Sequence, residues 1–295
     1  MKIEKVFHPG LKNRPLLIFI HGMGRDMRIW SDPEKARILG GLYPLSALLR
    51  YPDHDMNTLF FDFRQLGFAV LSWSQSRPVG PLDIAVQELD ALIKEYGSHA
   101  PGGVVLIGHS RGGLVGRRYV ERNGEAVKGL ITIATPHHGT AMAGWSVHLS
   151  PIASTLQKFF GGDSKGLKKA FTRILGFFGS EGIRELLPDS PLYSEMKNSG
   201  GKDVRCISVG GTNPDLIRIG NISIIELFSK IMPEKVVPEE MKAGYGDGLV
   251  SAASSILPYG NDHYNFHCNH LSLLFDREVR SLVISEVEKM SATVT

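Results

Sequence analysis

The chain has 295 residues, of which 42% are hydrophobic and 21% charged, with a formal net charge of +3, so a sizeable apolar core is expected. The small charge without a long Lys/Arg block argues against a nucleic-acid partner, and two cysteines are too few for a disulfide framework. Because no apolar run reaches the roughly 18–20 residues of a membrane span, and the first residues lack the apolar stretch of a secretory signal, we expect a cytoplasmic protein.

Short, continuously apolar runs that are typical of buried strands recur along the chain. Segments with helical spacing of apolar residues separate them, at residues 82–96 and 114–122, and a further amphipathic helix closes the chain. This alternation predicts a mostly parallel sheet covered by helices on both faces, the α/β class. The predicted strands are residues 16–20, 68–71, 103–108, 129–134 and 204–209.

Residues 141–200 interrupt the alternation with two or three amphipathic helices and no good strand. We interpret them as a helical, lid-like insertion over the carboxyl edge of the sheet, where open α/β folds bind ligands. The core domain is then formed by residues 1–140 and 201–295. The helix at 165–178 has a basic side, so peripheral contact with an anionic membrane surface is an alternative to packing over the cleft.

The strongest catalytic candidate is Ser110, in the pattern Gly-His-Ser-Arg-Gly at residues 108–112. It follows a predicted buried strand and precedes a helix, which is the sharp turn that exposes a nucleophile in G-x-S-x-G proteins. Ser164 lies in a second match at residues 162–166, but no strand precedes it. Ser110 is therefore the predicted nucleophile, and it needs a base and an acid that orients the base.

The acid and the base are sought downstream of Ser110, in that order. Asp247 stands between two glycines in a predicted tight turn and is the favoured acid, with Asp215 as the rival just after the fifth strand. His270, just before the closing helix, is the favoured base, and His263 and His267 remain alternatives.

A tetrahedral intermediate also needs two amide donors for its oxygen. One is expected from Arg111, the residue after the nucleophile. The other is expected from the loop at residues 21–24, where glycines permit close backbone approach and Met23 N–H is the candidate donor.

Two other hypotheses compete with a catalytic serine. One is a metal site formed by three histidines with an acid and a thiol nearby: His263, His267, His270, Asp262 and Cys268. The spacing of the histidines would suit metal ligands on a helix. The Pro, Gly and Asn residues at 258–265 indicate a loop instead. We therefore predict neither a metal nor another cofactor. The second hypothesis is a binding module for lipids or proteins that keeps the fold of an enzyme without its activity. The complete set of candidate catalytic groups argues against it.

Five motifs together resemble the bacterial triacylglycerol lipases and their relatives, which share an "HG" oxyanion loop, "GHSxGG", "TPHxG", "DGLV" and "NHL" in this order. They lie here at residues 20–24, 108–112, 135–140, 246–250 and 269–271. The resemblance implies an α/β-hydrolase fold, the triad Ser110, Asp247 and His270, oxyanion donors at Met23 and Arg111, and a lid after "TPHHGT". Ser272 replaces an aspartate that often helps these lipases to bind calcium, so no calcium site is predicted.

The expected function is hydrolysis of carboxylic esters, with an apolar acyl group, through an acyl-enzyme on Ser110. Acyl transfer and cleavage of thioesters or amides use the same intermediate and stay open as alternatives.

Overall fold

The centre of the protein is a seven-stranded sheet flanked by helices. The computed structural model describes residues 3–11, 13–38, 43–45, 56–99, 101–147, 180–196, 198–201, 203–216, 218–219, 222–223 and 237–292. The strands are β1 Lys5–His8, β2 Leu16–Ile20, β3 Arg37–Ile38, β4 Tyr43–Pro44, β5 Ala69–Trp73, β6 Val104–His109, β7 Gly129–Ile133, β8 Arg205–Gly211, β9 Arg218–Ile219, β10 Ile222–Ser223 and β11 Asp262–Phe266. The α-helices are α1 Arg28–Ser31, α2 Leu59–Gln65, α3 Leu82–Tyr96, α4 Arg111–Asn123, α5 Glu181–Arg184, α6 Pro191–Glu195 and α7 Arg277–Ala292.

The strands of the main sheet follow the order β1-β5-β2-β6-β7-β8-β11. Only β1 is antiparallel to its neighbour, and every other pair in this sheet is parallel. The five predicted strands are confirmed, although the second begins and ends slightly later than expected, at Ala69–Trp73. The helix predicted at 82–96 is confirmed, and the next one begins earlier than expected, at Arg111.

The loop expected at residues 258–265 is wrong for its second half, because Asp262–Phe266 forms the last strand of the sheet. This strand pairs in parallel with β8, from Asp262 opposite Ile207 to Phe266 opposite Gly211. Its polar residues have low strand propensity, so the hydrogen bonds from a neighbour distant in sequence decide its conformation.

Alternation along the central strands divides the core into two layers. In β2, Leu16, Ile18 and Ile20 face one layer and Leu17 and Phe19 face the other. The first layer is covered by α3 and α4, and the second by α2 and α7. Burial on both faces is why these strands are apolar at most positions.

The described end of the insertion packs against the core. Thr140 N–H donates to the Leu186 carbonyl (2.8 Å), and Gly182 N–H donates to the Val79 carbonyl (3.0 Å). The helix predicted at 165–178 lies outside the described residues, so the lid and the boundaries of the insertion stay predictions. Within the described ranges, no helix has the length and apolar character needed to cross a membrane.

Candidate active site

Ser110 lies at the turn between the end of β6 and the start of α4. Its backbone has φ 55° and ψ −130°, a conformation that costs a residue with a side chain about 1–3 kcal/mol. Three hydrogen bonds hold the turn: Ser110 N–H donates to the Ile133 carbonyl (2.8 Å), and the Ser110 carbonyl accepts from Gly113 N–H (2.9 Å) and Thr135 Oγ1 (3.0 Å). The Ser110 side chain is half-buried at the carboxyl edge of the sheet.

Small residues around Ser110 let three backbone segments meet. A Cβ at Gly108 would lie 2.6 Å from the Gly112 carbonyl carbon, and one at Gly112 would overlap the Ile20 carbonyl oxygen. A Cβ at Gly22 would lie 3.0 Å from the Ser110 Cβ. The loop after β2 therefore lies directly against the candidate nucleophile.

Asp247 and His270 form a buried pair. His270 Nδ1 lies 2.9 Å from Asp247 Oδ2, and the side chains are 4% and 1% exposed. The other carboxylate oxygen, Oδ1, accepts from Leu249 N–H (2.9 Å) and Val250 N–H (2.7 Å). His270 N–H also donates to the Asp247 carbonyl (2.9 Å). When Asp247 is ionised, His270 carries its proton on Nδ1 and Nε2 is left as a base.

The rival candidates occupy other places. Asp215 lies in the loop after β8, where its carbonyl accepts from Asn269 Nδ2 (3.0 Å), so its backbone supports the segment that carries His270. His263 lies in β11 and contacts Ser208 Oγ (2.9 Å), and His267 is exposed. Of the two acids and three histidines considered, the structure pairs Asp247 with His270.

His109 links this pair to the turn that carries Ser110. Its Nε2 lies 2.9 Å from the His270 carbonyl oxygen, which can only accept, so Nε2 carries the proton and donates. The His109 and His270 ring centroids are 4.8 Å apart. Burial and the neighbouring His270 hold the pKa of His109 well below its usual value, which keeps the ring neutral. His270 is thus anchored to the residue that precedes Ser110.

His21 orients the loop that contains Met23. Gln75 N–H donates to His21 Nε2 (3.0 Å), so the ring proton is on Nδ1, which donates to the Gly22 carbonyl (2.8 Å). Because the peptide unit is planar and trans, Met23 N–H points away from that carbonyl. None of the described residues accepts a hydrogen bond from Met23 N–H.

Arg111 provides the second candidate amide. It is the first residue of α4, and the leading N–H groups of a helix have no partner inside the helix. The structure therefore places one amide on each of two segments that meet at Ser110, the loop after β2 and the start of α4.

A comparison with known protein families matches the part of the sequence that forms the strand, the serine turn and the helix. The sequence model of the alpha/beta hydrolase family covers residues 17–209, more than half of the chain. The chain belongs to the alpha/beta hydrolase family. The matched segment contains Ser110, Met23 and Arg111, and it ends before Asp247 and His270.

Solved structures share the architecture of this alpha/beta hydrolase at low sequence identity. The mature lipase BlEst2 of Bacillus licheniformis is 15% identical with a TM-score of 0.53, over 96% of this chain and 97% of that one. The metagenomic carboxyl esterase MGS0156 is 15% identical with a TM-score of 0.54, over 96% of this chain and 73% of that one. At these identities the likeness concerns the fold.

A curated relative resembles part of this alpha/beta hydrolase. The biotin biosynthesis bifunctional protein BioHC of Teredinibacter turnerae is 30% identical over 125 residues. The match covers 42% of this chain and 18% of that protein, so it spans less than a fifth of the relative's length.

Two buried arginines lie near His21, and each interacts with a carboxylate, Asp26 for Arg25 and Glu185 for Arg111. Burial lowers the pKa of Arg25 to about 10, and it also lowers the pKa of Arg111, but a guanidinium stays protonated at neutral pH. Arg111 Nη2 lies 3.5 Å from Glu185 Oε2, which offsets part of this charge.

No group of three or more His, Cys, Asp or Glu side chains within the described part of the chain is placed to hold a metal ion. The candidate metal ligands His263 and His270 have Ser208 and Asp247 as their respective partners. Cys206 and Cys268 are free thiols.

Two contributors to the site are absent from the sequence prediction. His109 could have been suspected, since it precedes the nucleophile inside the motif. Gln75 has no such signal, because it follows the second predicted strand and comes next to His21 only once β5 is placed beside β2.

Proposed function

We propose that this alpha/beta hydrolase cleaves carboxylic esters with an apolar acyl group through an acyl-enzyme on Ser110. His270 acts as the base, Asp247 orients it, and the Met23 and Arg111 amides bind the oxyanion. The observation that carries the proposal is the 2.9 Å contact of His270 Nδ1 with Asp247 Oδ2, which leaves Nε2 as the free base of a ring anchored beside the serine turn.

Acylation forms one bond and breaks another. Ser110 Oγ attacks the ester carbonyl carbon while His270 Nε2 takes the hydroxyl proton, and the carbonyl oxygen becomes an oxyanion that accepts from the two amides. His270 then gives the proton to the leaving alcohol oxygen as the C–O bond breaks, and the acyl group stays on Ser110.

Deacylation repeats these steps with water. His270 takes a proton from the water that attacks the acyl carbon, and returns it to Ser110 Oγ as the carboxylic acid leaves. Asp247 keeps the imidazole in the required tautomer throughout, because its Oδ2 accepts from Nδ1–H.

The names of structural neighbours support an ester substrate, since one is a lipase and another a carboxyl esterase. The preference for an apolar acyl group is proposed in addition to ester cleavage. The lid at 141–200, membrane contact through 165–178 and a cytoplasmic location stay predictions.

The test is hydrolysis of p-nitrophenyl esters from acetate to palmitate by the purified chain and two serine variants. Ser110→Ala should lower kcat by several orders of magnitude without unfolding the protein. Ser164→Ala removes the serine of the other G-x-S-x-G match and should behave as the unmodified chain. An organophosphonate should label Ser110 once per chain.

Other outcomes would replace the proposal. Near-full activity of Ser110→Ala would show that Ser110 is not the nucleophile. Turnover of thioesters or amides but not of oxygen esters would change the substrate class, and preferential transfer of the acyl group to an added alcohol would indicate an acyltransferase. Absence of both turnover and labelling, together with lipid binding, would favour a binding module.

A further inference from the structure

Gln75, just after β5, contacts both segments that supply the proposed oxyanion amides. Its backbone N–H donates to His21 Nε2 (3.0 Å), and its side-chain Nε2 donates to the His21 carbonyl (2.9 Å). Its Oε1 accepts from Arg111 Nη1 (3.2 Å). The residue is 5% exposed, so these contacts are shielded from water.

The contacts with His21 determine how the loop after β2 is oriented. Gln75 fixes the direction of the His21 carbonyl and the tautomer of its ring, and that ring holds the Gly22 carbonyl (2.8 Å). Two successive peptide planes are therefore set, and the second one carries Met23 N–H. Without the Gln75 side chain, the His21 carbonyl loses its hydrogen-bond donor and the first plane is held less firmly.

The contact with Arg111 acts on the start of α4. The Arg111 side chain is 1% exposed, and it also donates to the Gly80 carbonyl. These anchors hold the first residue of the helix, whose backbone N–H is the second proposed donor. Gln75, which follows β5, thus connects the segments that follow β2 and β6.

We propose that Gln75 is a positioning residue that holds the Met23 and Arg111 amides at the spacing the oxyanion needs. This inference rests on the proposed function. Because negative charge develops on the substrate oxygen only in the transition state, misplaced amides should lower kcat while KM changes little.

The test compares two Gln75 variants with a control in β5, the strand that precedes Gln75. Gln75→Met keeps the length of the side chain and the backbone contact with His21 Nε2 but loses both side-chain hydrogen bonds. Gln75→Glu keeps an acceptor for Arg111 and places an oxygen against the His21 carbonyl. We expect each to lower kcat for p-nitrophenyl esters by about 10–100-fold, with KM within about twofold.

Ser72→Ala is the matched control. Ser72 Oγ donates to the Phe19 carbonyl (3.0 Å) in the buried part of β5, so this variant also loses a buried hydrogen bond but touches no oxyanion residue. It should lower Tm and leave kcat unchanged. Melting curves for all variants show which of them fold, and if Gln75→Met does not fold, Gln75→Glu decides.

The outcomes separate this inference from the proposed function. If a folded Gln75 variant keeps the kcat of the unmodified chain, or Ser72→Ala loses as much, the inference is overturned, while an inactive Ser110→Ala leaves the proposed function standing. If the unmodified chain turns over no ester, both are overturned together.

Discussion

The oxyanion side of the site and its acid–base side are held in place by different kinds of contact. On the oxyanion side, Gln75 donates to His21 and accepts from Arg111, which connects the ends of neighbouring strands. On the acid–base side, the Asp247 carboxylate is held by the N–H groups of its own turn and by His270.

The two sides should therefore respond to different changes. The Asp247 carboxylate is held by hydrogen bonds within its own turn, so its chemistry can be changed while the sheet stays intact. The oxyanion side is built on the buried neutral imidazole of His21 and on contacts between residues that follow neighbouring strands, so its geometry should depend on both the fold and the pH.

The largest expected effect breaks the acid–base side alone. In Asp247→Asn the oxygen of the new amide must accept from Leu249 and Val250 N–H, which turns its NH2 group toward His270 Nδ1. His270 then carries its proton on Nε2 and cannot act as a base, so kcat should fall about 10⁴-fold. Kinetics with a p-nitrophenyl ester measure this, and Tm should change little.

Asp215→Asn is the control for this prediction, since the contact of Asp215 with the His270 segment is made by its backbone carbonyl. Its kcat should stay close to that of the unmodified chain. A severe loss of kcat in Asp215→Asn together with a mild loss in Asp247→Asn would identify Asp215 as the acid.

Parts of the molecule differ in how far the sequence predicted them. The central strands and the Ser110 turn follow from continuous apolar runs and from one contiguous motif, both of which are local signals. The motif resemblance also indicated Asp247 and His270. Residue spacing alone left Asp215 open, because loop residues carry no periodicity that would show which acid meets the base.

Non-local pairing explains the rest of what the sequence did not predict. Strand β11 contains Asp262, His263 and Asn265 and becomes a strand only beside β8. Gln75 acquires its contacts through the adjacency of β5, β2 and β6, which no short segment encodes.

The second expected effect is on the oxyanion side and depends on pH. Burial lowers the pKa of His21 to about 4, whereas an exposed histidine binds its proton near pH 6.5. Between these values the unfolded chain binds a proton that the folded chain does not, so stability falls as the pH falls. His21 alone should remove about 2 kcal/mol from the free energy of unfolding between pH 7 and 5.

Denaturant unfolding of the unmodified chain and of His21→Asn at the two pH values isolates this contribution. The variant should lose about 2 kcal/mol less on acidification, because its residue 21 has no proton to bind. Equal losses in the two chains would show that His21 is not held neutral by burial.

The smallest expected effect concerns the contact that joins the two sides. His109 Nε2–H donates to the His270 carbonyl (2.9 Å), so His109→Leu removes the anchor between the Ser110 turn and the base. We expect kcat to fall about 10-fold with KM little changed, since the base is displaced and not removed. His109→Gln keeps an N–H donor at a similar reach and should recover most of the loss. If the Gln variant is as slow as the Leu variant, the hydrogen bond does not position His270, and the two sides are joined only through the sheet beneath them.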